Sequence, residues 1–368
     1  MCSGTLCTVS CQTFVESSPK PKENSLDKVS FKKDFSSTEF IDNLLTKGSY
    51  VACDETSKNF NQEELPPYYD EEMYKRGQDY FHKNIFGMLL GNLLGLLAGL
   101  ALQPSLAILI LTKMSSSDLT AYKRYLATIF HMMIWYDEDF RPGSKLWESI
   151  KDVKSKHDSA SKKSAKMLGY RINQKDMALT QFGFMGLILT RNRFLGVYDV
   201  NEEELKCFVH VWRVIGYVLG IKDEFNICRE SVDETRAICN EIISKVILPE
   251  VEKRHANTWE MCSYLTNGLK AFNPFLNLNA FMFYLEVSLK NSRSSISFAN
   301  QDFKKLTFGE KFKIYVILIV IYLLRFSFIR NSLNRLERYA LAEAKKGNFI
   351  ARKKWGEQHA KVNIIGQH

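Results

Sequence analysis

The sequence predicts an all-α, multi-helix globular protein, and three observations support that class. Apolar residues recur at the 3.6-residue period of a helix, while the two-residue alternation of a half-buried strand is nearly absent. Only 19 Gly and 8 Pro occur in 368 residues, which are too few turn formers for an all-β fold. A hydrophobic content of 45% with 25% charged residues also excludes a disordered or fibrous chain. The length allows one large domain or two ordinary ones, with a sizeable core.

Residues 1–64 are polar and rich in Ser, Lys and Asn, apart from a short apolar patch at 40–45, which predicts a mostly disordered tail. A helical domain over 65–300 begins where Pro66 and Pro67 fix an extended entry and an acidic run at 70–72 favours a helix start. Further helices are predicted over 119–136, 145–167, 174–190, 202–219, 230–248 and 250–270.

The next feature is a run of 29 uncharged residues from 84 to 112, which is long enough to cross a hydrocarbon layer. Glycines recur at every fourth position, so one helical face is a ridge that another helix could approach closely. Pro104 interrupts the run and favours two shorter helices. Two alternatives follow, a buried hairpin and a membrane span or re-entrant segment. The ridge consists of Gly87, Gly91, Gly95 and Gly99.

Residues 301–368 are predicted to form an apolar and then a basic, amphipathic helical tail. An 11-residue apolar run at 314–324 is too short for a confident span. Between Arg325 and Lys361, ten Lys and Arg stand against three Glu, so most of the net charge of +9 lies here. Such a helix suits an anionic lipid leaflet, and a solvated helix face is the alternative. Nucleic acid is not predicted as a partner, because no recognised fold or stacking motif accompanies the charge.

Common catalytic motifs are absent, since no G-x-G-x-x-G, P-loop, H-E-x-x-H or G-x-S-x-G occurs. The chemistry is therefore expected from polar residues within apolar helices. Asp176 and Thr180 lie one turn apart on one flank of a helix that also carries Gln174 and Gln181. Buried polar groups need partners, so this stripe lines a polar cavity or makes a helix contact.

Two further groups of residues are candidates for a site. His210, Arg213 and Tyr217 share a face by spacings of three and four, and an arginine among apolar neighbours must meet an anion. That anion is an internal acid or a bound ligand. Lys154 and His157 share a face of a lysine-rich helix, which is a solvated surface or, if buried, a metal or haem site.

Several of these stretches resemble a known family, the ER-bound oxygenase or rubber-oxygenase (latex-clearing protein) catalytic domain, and above all its uncharacterised animal branch. The resemblance covers about 65–290. It is carried by DMALTQFGF at 176–184, WRVIGYVLGI at 212–221 and DEFN at 223–226, with YDEE at 69–72, RGQ at 76–78, RYLAT at 124–128 and PGSK at 142–145.

The resemblance implies an all-α domain of the rubber-oxygenase type around a central apolar cavity that holds haem b. It further implies a membrane-associated, haem-dependent oxygenase-like protein that acts on an apolar, lipid- or isoprenoid-like substrate. The alternative is a non-catalytic helical membrane protein that binds lipid or a protein partner. The family's axial histidine is expected on the helix of Thr180, where this sequence has none. Either His157 or His210 is then the metal ligand, or this branch of the family does not use haem in that way.

The remaining roles follow from the same resemblance. Thr180, Gln181 and Lys154 are the expected catalytic residues, and Arg213, Tyr217 and Asp176 are expected to bind the cofactor, with Arg213 on a propionate. The expected location is the endoplasmic reticulum membrane. The 8 scattered cysteines and the absence of a glycosylation sequon place the domain on the cytosolic side. The sequence does not predict an oligomeric state.

Overall fold

The computed structural model describes residues 35–54, 65–198, 200–362 and 364. The described residues contain no β-strand, and their one β-bridge joins Ala52 to Asn173, so the all-α prediction is confirmed. The α-helices of the described residues are α1 Ser37–Leu45, α2 Glu71–Lys83, α3 Ile85–Gly99, α4 Gln103–Thr112, α5 Asp118–Asp137, α6 Lys145–Leu168, α7 Gln174–Thr190, α8 Glu202–Val218, α9 Val232–Ile242, α10 Leu248–Glu252, α11 Ala256–Leu269, α12 Leu278–Leu289, α13 Gln301–Lys305, α14 Phe308–Leu323, α15 Ser327–Lys345, α16 Phe349–Trp355 and α17 Glu357–Ala360.

The helix starts follow from capping side chains. The Asp70 carboxylate accepts the backbone N–H of Met73 at the start of α2, and Ser117 and Asn173 close capping boxes on α5 and α7. The segment predicted as one helix over 250–270 is instead two, because Arg254 has a φ of 50° between α10 and α11. A residue with that backbone angle cannot continue a right-handed helix.

The glycine ridge of α3 is a packing face against α7. A Cβ atom added at Gly95 would lie 1.9 Å from the carbonyl oxygen of Gly183, so the two backbones are in direct contact there. Gly87 likewise meets the carbonyl oxygen of Leu195, while Gly91 meets the side chains of Ile188 and Leu195. The close helix approach that the spacing of four predicts is confirmed.

The α3–α4 pair is the described segment that comes nearest to a membrane span. No single described helix is both long and apolar enough to cross a bilayer. Helices α3 and α4 reach that length and composition only together, and their axes differ by 96°. Pro104, at the second position of α4, is where a new helix starts rather than where the old one continues.

Residues 36–54 pack onto the helical domain. Ile41 and Leu44 of α1 are buried, and α1 contacts α9. The backbone N–H of Gln174 donates to the carbonyl of Val51, which ties this segment to the start of α7. The compact unit therefore starts at Ser36 rather than at 65, because two buried apolar side chains anchor a mainly polar segment. The other residues of the predicted tail, 1–34 and 55–64, lie outside the described residues.

The C-terminal helices belong to the same compact unit. Helix α14 contacts α12, and α15 contacts α2 and α3. The side chain of Asn334 on α15 donates to the carbonyl of Lys83 and accepts the N–H of Phe86, which fixes α15 to the junction of α2 and α3.

Candidate functional site

A large cleft with mainly apolar lining lies between the helices, with a volume of about 1590 Å³. We call the lining from α3, α5, α6 and α7 the core wall, and the lining from α14 and α15 the outer wall. The core wall carries most of the polar groups, while the outer wall is formed by aliphatic side chains and two charged residues, Lys313 and Glu337. A pocket of this size that is largely apolar with a few polar groups is the usual form of a small-molecule site.

Three of the polar side chains that helix α5 brings to the core wall are spaced by four and three residues. They are Arg124, Thr128 and His131. The Nδ1 atom of His131 lies 2.8 Å from the Ser149 hydroxyl, and its Nε2 lies 3.3 Å from a carboxylate oxygen of Asp152. Burial lowers the pKa of His131 to about 4, so this imidazole is neutral near pH 7.

Helix α6 places His157 in the core wall. Its Nδ1 atom is buried, and neither ring nitrogen has a hydrogen-bond partner among the described residues. Burial, and after it the positive charge of Arg124, lowers the pKa of His157 to about 4. The cleft therefore contains a neutral imidazole that is able to bind a metal or a hydrogen-bonding ligand.

Among the neighbouring cations, Arg124 lowers the pKa of His157 most strongly. Burial lowers the pKa of its guanidinium, which donates a long hydrogen bond of 3.4 Å to the Thr112 hydroxyl. Within the described part of the chain, Arg124 forms no ion pair within 4.0 Å. A buried guanidinium without an acidic partner is suited to bind an anionic group of a ligand.

Helix α7 carries three of the predicted site residues, which line the cleft or make a contact with another helix. Asp176 and Thr180 reach the cleft, where the Thr180 hydroxyl donates to the Asp176 carbonyl at 2.8 Å. The Asp176 carboxylate accepts from the Ser105 hydroxyl at 3.0 Å, and burial raises its pKa. Gln181 also lines the cleft, and its amide donates to the carbonyl of Trp212 at 2.7 Å and thereby joins α7 to α8.

The second predicted group does not reach the cleft. The Arg213 guanidinium lies 3.7 Å from the centre of the Tyr68 ring, and the Tyr68 hydroxyl donates to Asp223. Tyr217 packs edge-on against the same ring. His210 Nε2 accepts the backbone N–H of Asp70 at 3.1 Å, so the start of α2 already occupies this nitrogen. The structure thus gives Arg213, Tyr217 and His210 packing partners away from the cleft, and none of them is placed to hold a cofactor in it.

Lys154 also points away from the cleft, although His157 lies on the next turn of α6. Its side chain is buried, and its Nζ atom is 3.5 Å from a carboxylate oxygen of Asp158. The charges of Lys154 and Asp158 both act on the Cys53 thiol, which places this pair beside the segment at 51–54. An active role for Lys154 in the cleft has no support in this geometry.

The residues that sequence reasoning missed are Arg124, Thr128 and His131 of α5. Their spacing of i, i+4 and i+7 is the pattern of one helical face, so it was readable from the sequence. The pattern alone did not distinguish a cleft-lining face from a solvated one. Among the described residues, no group of three or more His, Cys, Asp or Glu side chains could hold a metal ion. A metal that a macrocycle holds needs fewer protein ligands, so this observation does not bear on haem.

Comparisons with known proteins place these features in a family. Residues 80–284 match the family model of the ER-bound oxygenase mpaB/B'/Rubber oxygenase, catalytic domain. The fold is similar to that of latex clearing protein LCP in the closed state, with a TM-score of 0.51 and 14% identity over 83% of this chain and 86% of that chain. No functionally curated protein matches in sequence. Because the matched residues span more than half of the chain, the protein belongs to the ER-bound oxygenase and rubber-oxygenase catalytic domain family.

Proposed function

We propose that the protein is a membrane-associated oxygenase that uses haem b in the cleft and dioxygen to oxidise an apolar, lipid- or isoprenoid-like substrate. One observation carries the proposal. In a chain of an oxygenase family, a neutral imidazole without a hydrogen-bond partner, that of His157, faces an apolar cleft of about 1590 Å³. Such a cleft is larger than a drug-sized ligand needs, and so leaves room for a cofactor and a substrate together.

The residues of the core wall fit haem in two respects. A ligand histidine must be neutral, and the pKa of about 4 keeps His157 in that form at physiological pH. Haem also carries carboxylates, and the Arg124 guanidinium lacks an acidic partner in the described residues, so it would hold a propionate in the role first expected of Arg213. When bound, haem supplies the dioxygen chemistry that amino acid side chains cannot supply.

Other residues of the cleft would bind and orient the substrate. The Thr180 hydroxyl donates a hydrogen bond to the Asp176 carbonyl. Its oxygen is therefore left to accept a hydrogen bond from a polar group of the substrate. Gln181 acts indirectly, because its amide fixes α7 against α8 and so holds Thr180 in place. The aliphatic side chains of both walls would bind the apolar part of the substrate and exclude water. Lys154 and His210 have no part in this proposal.

We place this activity at the endoplasmic reticulum membrane with the domain on the cytosolic side. The described cysteines support a reducing compartment, because all of them are free and buried. They are Cys53, Cys207, Cys228, Cys239 and Cys262.

A second candidate is a non-catalytic protein that carries a lipid or binds a protein partner. The observation that favours it is the same unpartnered Arg124, since a guanidinium above an apolar cleft also fits the acidic head of a lipid.

A visible spectrum of the full-length protein in mild detergent tests the proposal. We expect a Soret band at stoichiometric haem content in the wild type. His157→Ala should remove or strongly shift this band, because the imidazole would be the iron ligand. His131→Ala is the matched control, since His131 lies in the same wall but already has the Ser149 hydroxyl as a partner.

The outcomes separate the two candidates. A colourless protein, even after haem is supplied during expression, contradicts the oxygenase proposal and favours the lipid carrier. A coloured protein whose spectrum is the same in His157→Ala and the wild type keeps haem but excludes His157 as its ligand.

A further inference from the structure

Helix α14 exposes a continuous apolar stripe. Its members recur at spacings of four, three, four and three, so they share one helical face. Phe308 is 87% exposed and Ile319 is 58% exposed, although both are large apolar side chains. A contiguous apolar face of this kind on a soluble surface marks an interaction site. The stripe consists of Phe308, Phe312, Tyr315, Ile319 and Tyr322.

The same helix also borders the cleft. Ile314 and Ile321 of α14 are buried in the core, while Val316, Ile317 and Val320 line the cleft. The stripe and the cleft are therefore separated by the width of a single helix.

Two exposed apolar residues mark where the cleft meets this surface. Phe275 is 54% exposed and lines the cleft, and Lys313 of α14 donates to its carbonyl at 3.1 Å. Leu336 of α15 is likewise exposed and lines the cleft. The rim of the cleft thus adjoins the surface that carries the stripe.

Positive charge accompanies the stripe. From 304 to 346 the sequence has ten Lys and Arg against three Asp and Glu. Of these three acids, Glu310 is buried and accepts from Thr307 and Asn279, Glu337 lines the cleft, and Glu343 pairs with Lys346 at 3.1 Å. Outside this range, Asp302 pairs with Lys305 at 2.9 Å and Asp137 lies 3.8 Å from Arg338, while Arg330 is buried. The cations of this range that are left without an acidic partner among the described residues are Lys304, Lys311, Lys313, Arg325, Arg335 and Lys345.

We propose that the surface formed by α14 and α15 docks onto an anionic lipid bilayer. Apolar side chains that enter the interface, tyrosines at the headgroup level and flanking cations are the combination that binds such a bilayer. Tyr315 and Tyr322 of the stripe supply the amphipathic rings, and the Arg325 guanidinium lies 3.8 Å from the centre of the Tyr322 ring. A protein partner would not require the excess of cations, which is why lipid is the occupant.

Docking in this orientation gives the cleft an entrance from the hydrocarbon. Because Phe275 and Leu336 lie at the rim, an apolar substrate passes from the bilayer into the cleft without crossing water. The docking specifies the surface for the membrane association proposed above, and this second part rests in addition on the proposed oxygenase activity.

Co-sedimentation of the full-length protein with lipid vesicles tests the docking. The vesicles are phosphatidylcholine alone, or phosphatidylcholine with about a third phosphatidylserine. We expect binding to the anionic vesicles that weakens in high salt, and at least a tenfold weaker binding by the double variant Phe312→Ser/Ile319→Ser. Tyr50→Ser is the matched control, because Tyr50 is an aromatic residue 90% exposed outside the stripe.

Two results would overturn the docking proposal. One is equal vesicle binding by the double variant and the wild type. The other is a wild-type dimer in solution that the double variant converts to a monomer, since a second copy would then cover the stripe. The visible spectrum of the double variant in detergent separates this proposal from the first. Lost vesicle binding with an unchanged Soret band supports docking, and a colourless protein that still binds vesicles contradicts only the haem proposal.

Discussion

The core wall and the outer wall of the cleft are both helical and largely apolar, yet the residues that recur along one helix face differ in size. They are glycines in α3 and large apolar residues in α14. In the core wall, Gly95 of α3 meets the backbone of Gly183 in α7, so the main chains of the two helices are in direct contact there. Helix α14, which contributes to the outer wall, has large residues on its opposite face at spacings of four and three, and these face outward. Apolar content alone therefore does not decide whether a helix is buried. The size of the residues on its repeating face decides how closely a neighbour can approach.

The largest effect is expected when a methyl group is added to the glycine ridge of α3. In Gly95→Ala the new Cβ atom would lie 1.9 Å from a backbone oxygen that cannot rotate away. We expect a loss of about 3 kcal/mol or more in the free energy of unfolding, measured by urea denaturation.

Gly99→Ala is the control on the same helix. Apart from the adjoining residues and the backbone of α3 itself, no atom lies within 4 Å of the added Cβ. A helical Gly→Ala change without a clash is neutral or stabilising by about 0.5 to 1 kcal/mol. Equal urea midpoints for the two variants would show that α3 and α7 are not in contact.

A moderate loss of stability is expected when the pH is lowered, and it arises from His157 in the core wall. The pKa of His157 is about 4 in the folded protein, below the value near 6.5 of an exposed histidine. As the pH falls from 6.5 towards 4, the unfolded chain binds a proton that the folded one does not, so stability falls. His157→Gln should remove about 2 kcal/mol of this acid sensitivity, because its side chain does not titrate.

Urea denaturation at several pH values between 7 and 4 measures this effect. His359→Gln is the control, since His359 lies exposed on α17. The prediction fails if wild type and His157→Gln lose stability in parallel across this range.

The smallest effect concerns the outer wall and has the opposite pH direction. Burial raises the pKa of Glu337 above its ordinary value of 4.5. As the pH rises above 4.5 the unfolded carboxyl group loses its proton before the folded one, so stability falls. Glu337→Gln should therefore stabilise the protein at pH 7, by less than the change expected for His157→Gln, and have no effect below pH 4. The exposed carboxylate variant Glu230→Gln is the comparison, and an equal gain there at pH 7 would contradict the assignment.

Much of the fold could be predicted because local sequence rules carry it. The spacing of the glycines predicted a close helix approach, and the acidic run at 70–72 marked the start of α2. The packing of α1 could not be predicted, because it depends on two apolar side chains, Ile41 and Leu44, in a mainly polar segment. Whether they find a partner is decided by α9, far away in the sequence.

The site was harder to predict, because the direction of a side chain depends on its neighbours. Thr180 and Gln181 are adjacent and both line the cleft, yet the Thr180 hydroxyl bonds within α7 and the Gln181 amide bonds to α8, since successive helical residues point about 100° apart. Arg213 was expected to meet an anion, but the ring of Tyr68 covers it instead. A cation over an aromatic face needs no carboxylate, and no spacing rule connects residues so far apart in the chain.

The backbone contact between Gly95 and Gly183 has a consequence for how this protein could change during evolution. Two helices that touch through their main chains can neither separate nor slide without losing that fit, so the core wall has little freedom to adapt. The outer wall is held by side chains and can be remodelled residue by residue. We therefore expect new substrate preferences to arise by exchange of side chains on α14 and α15, while the rigid half of the molecule is inherited unaltered.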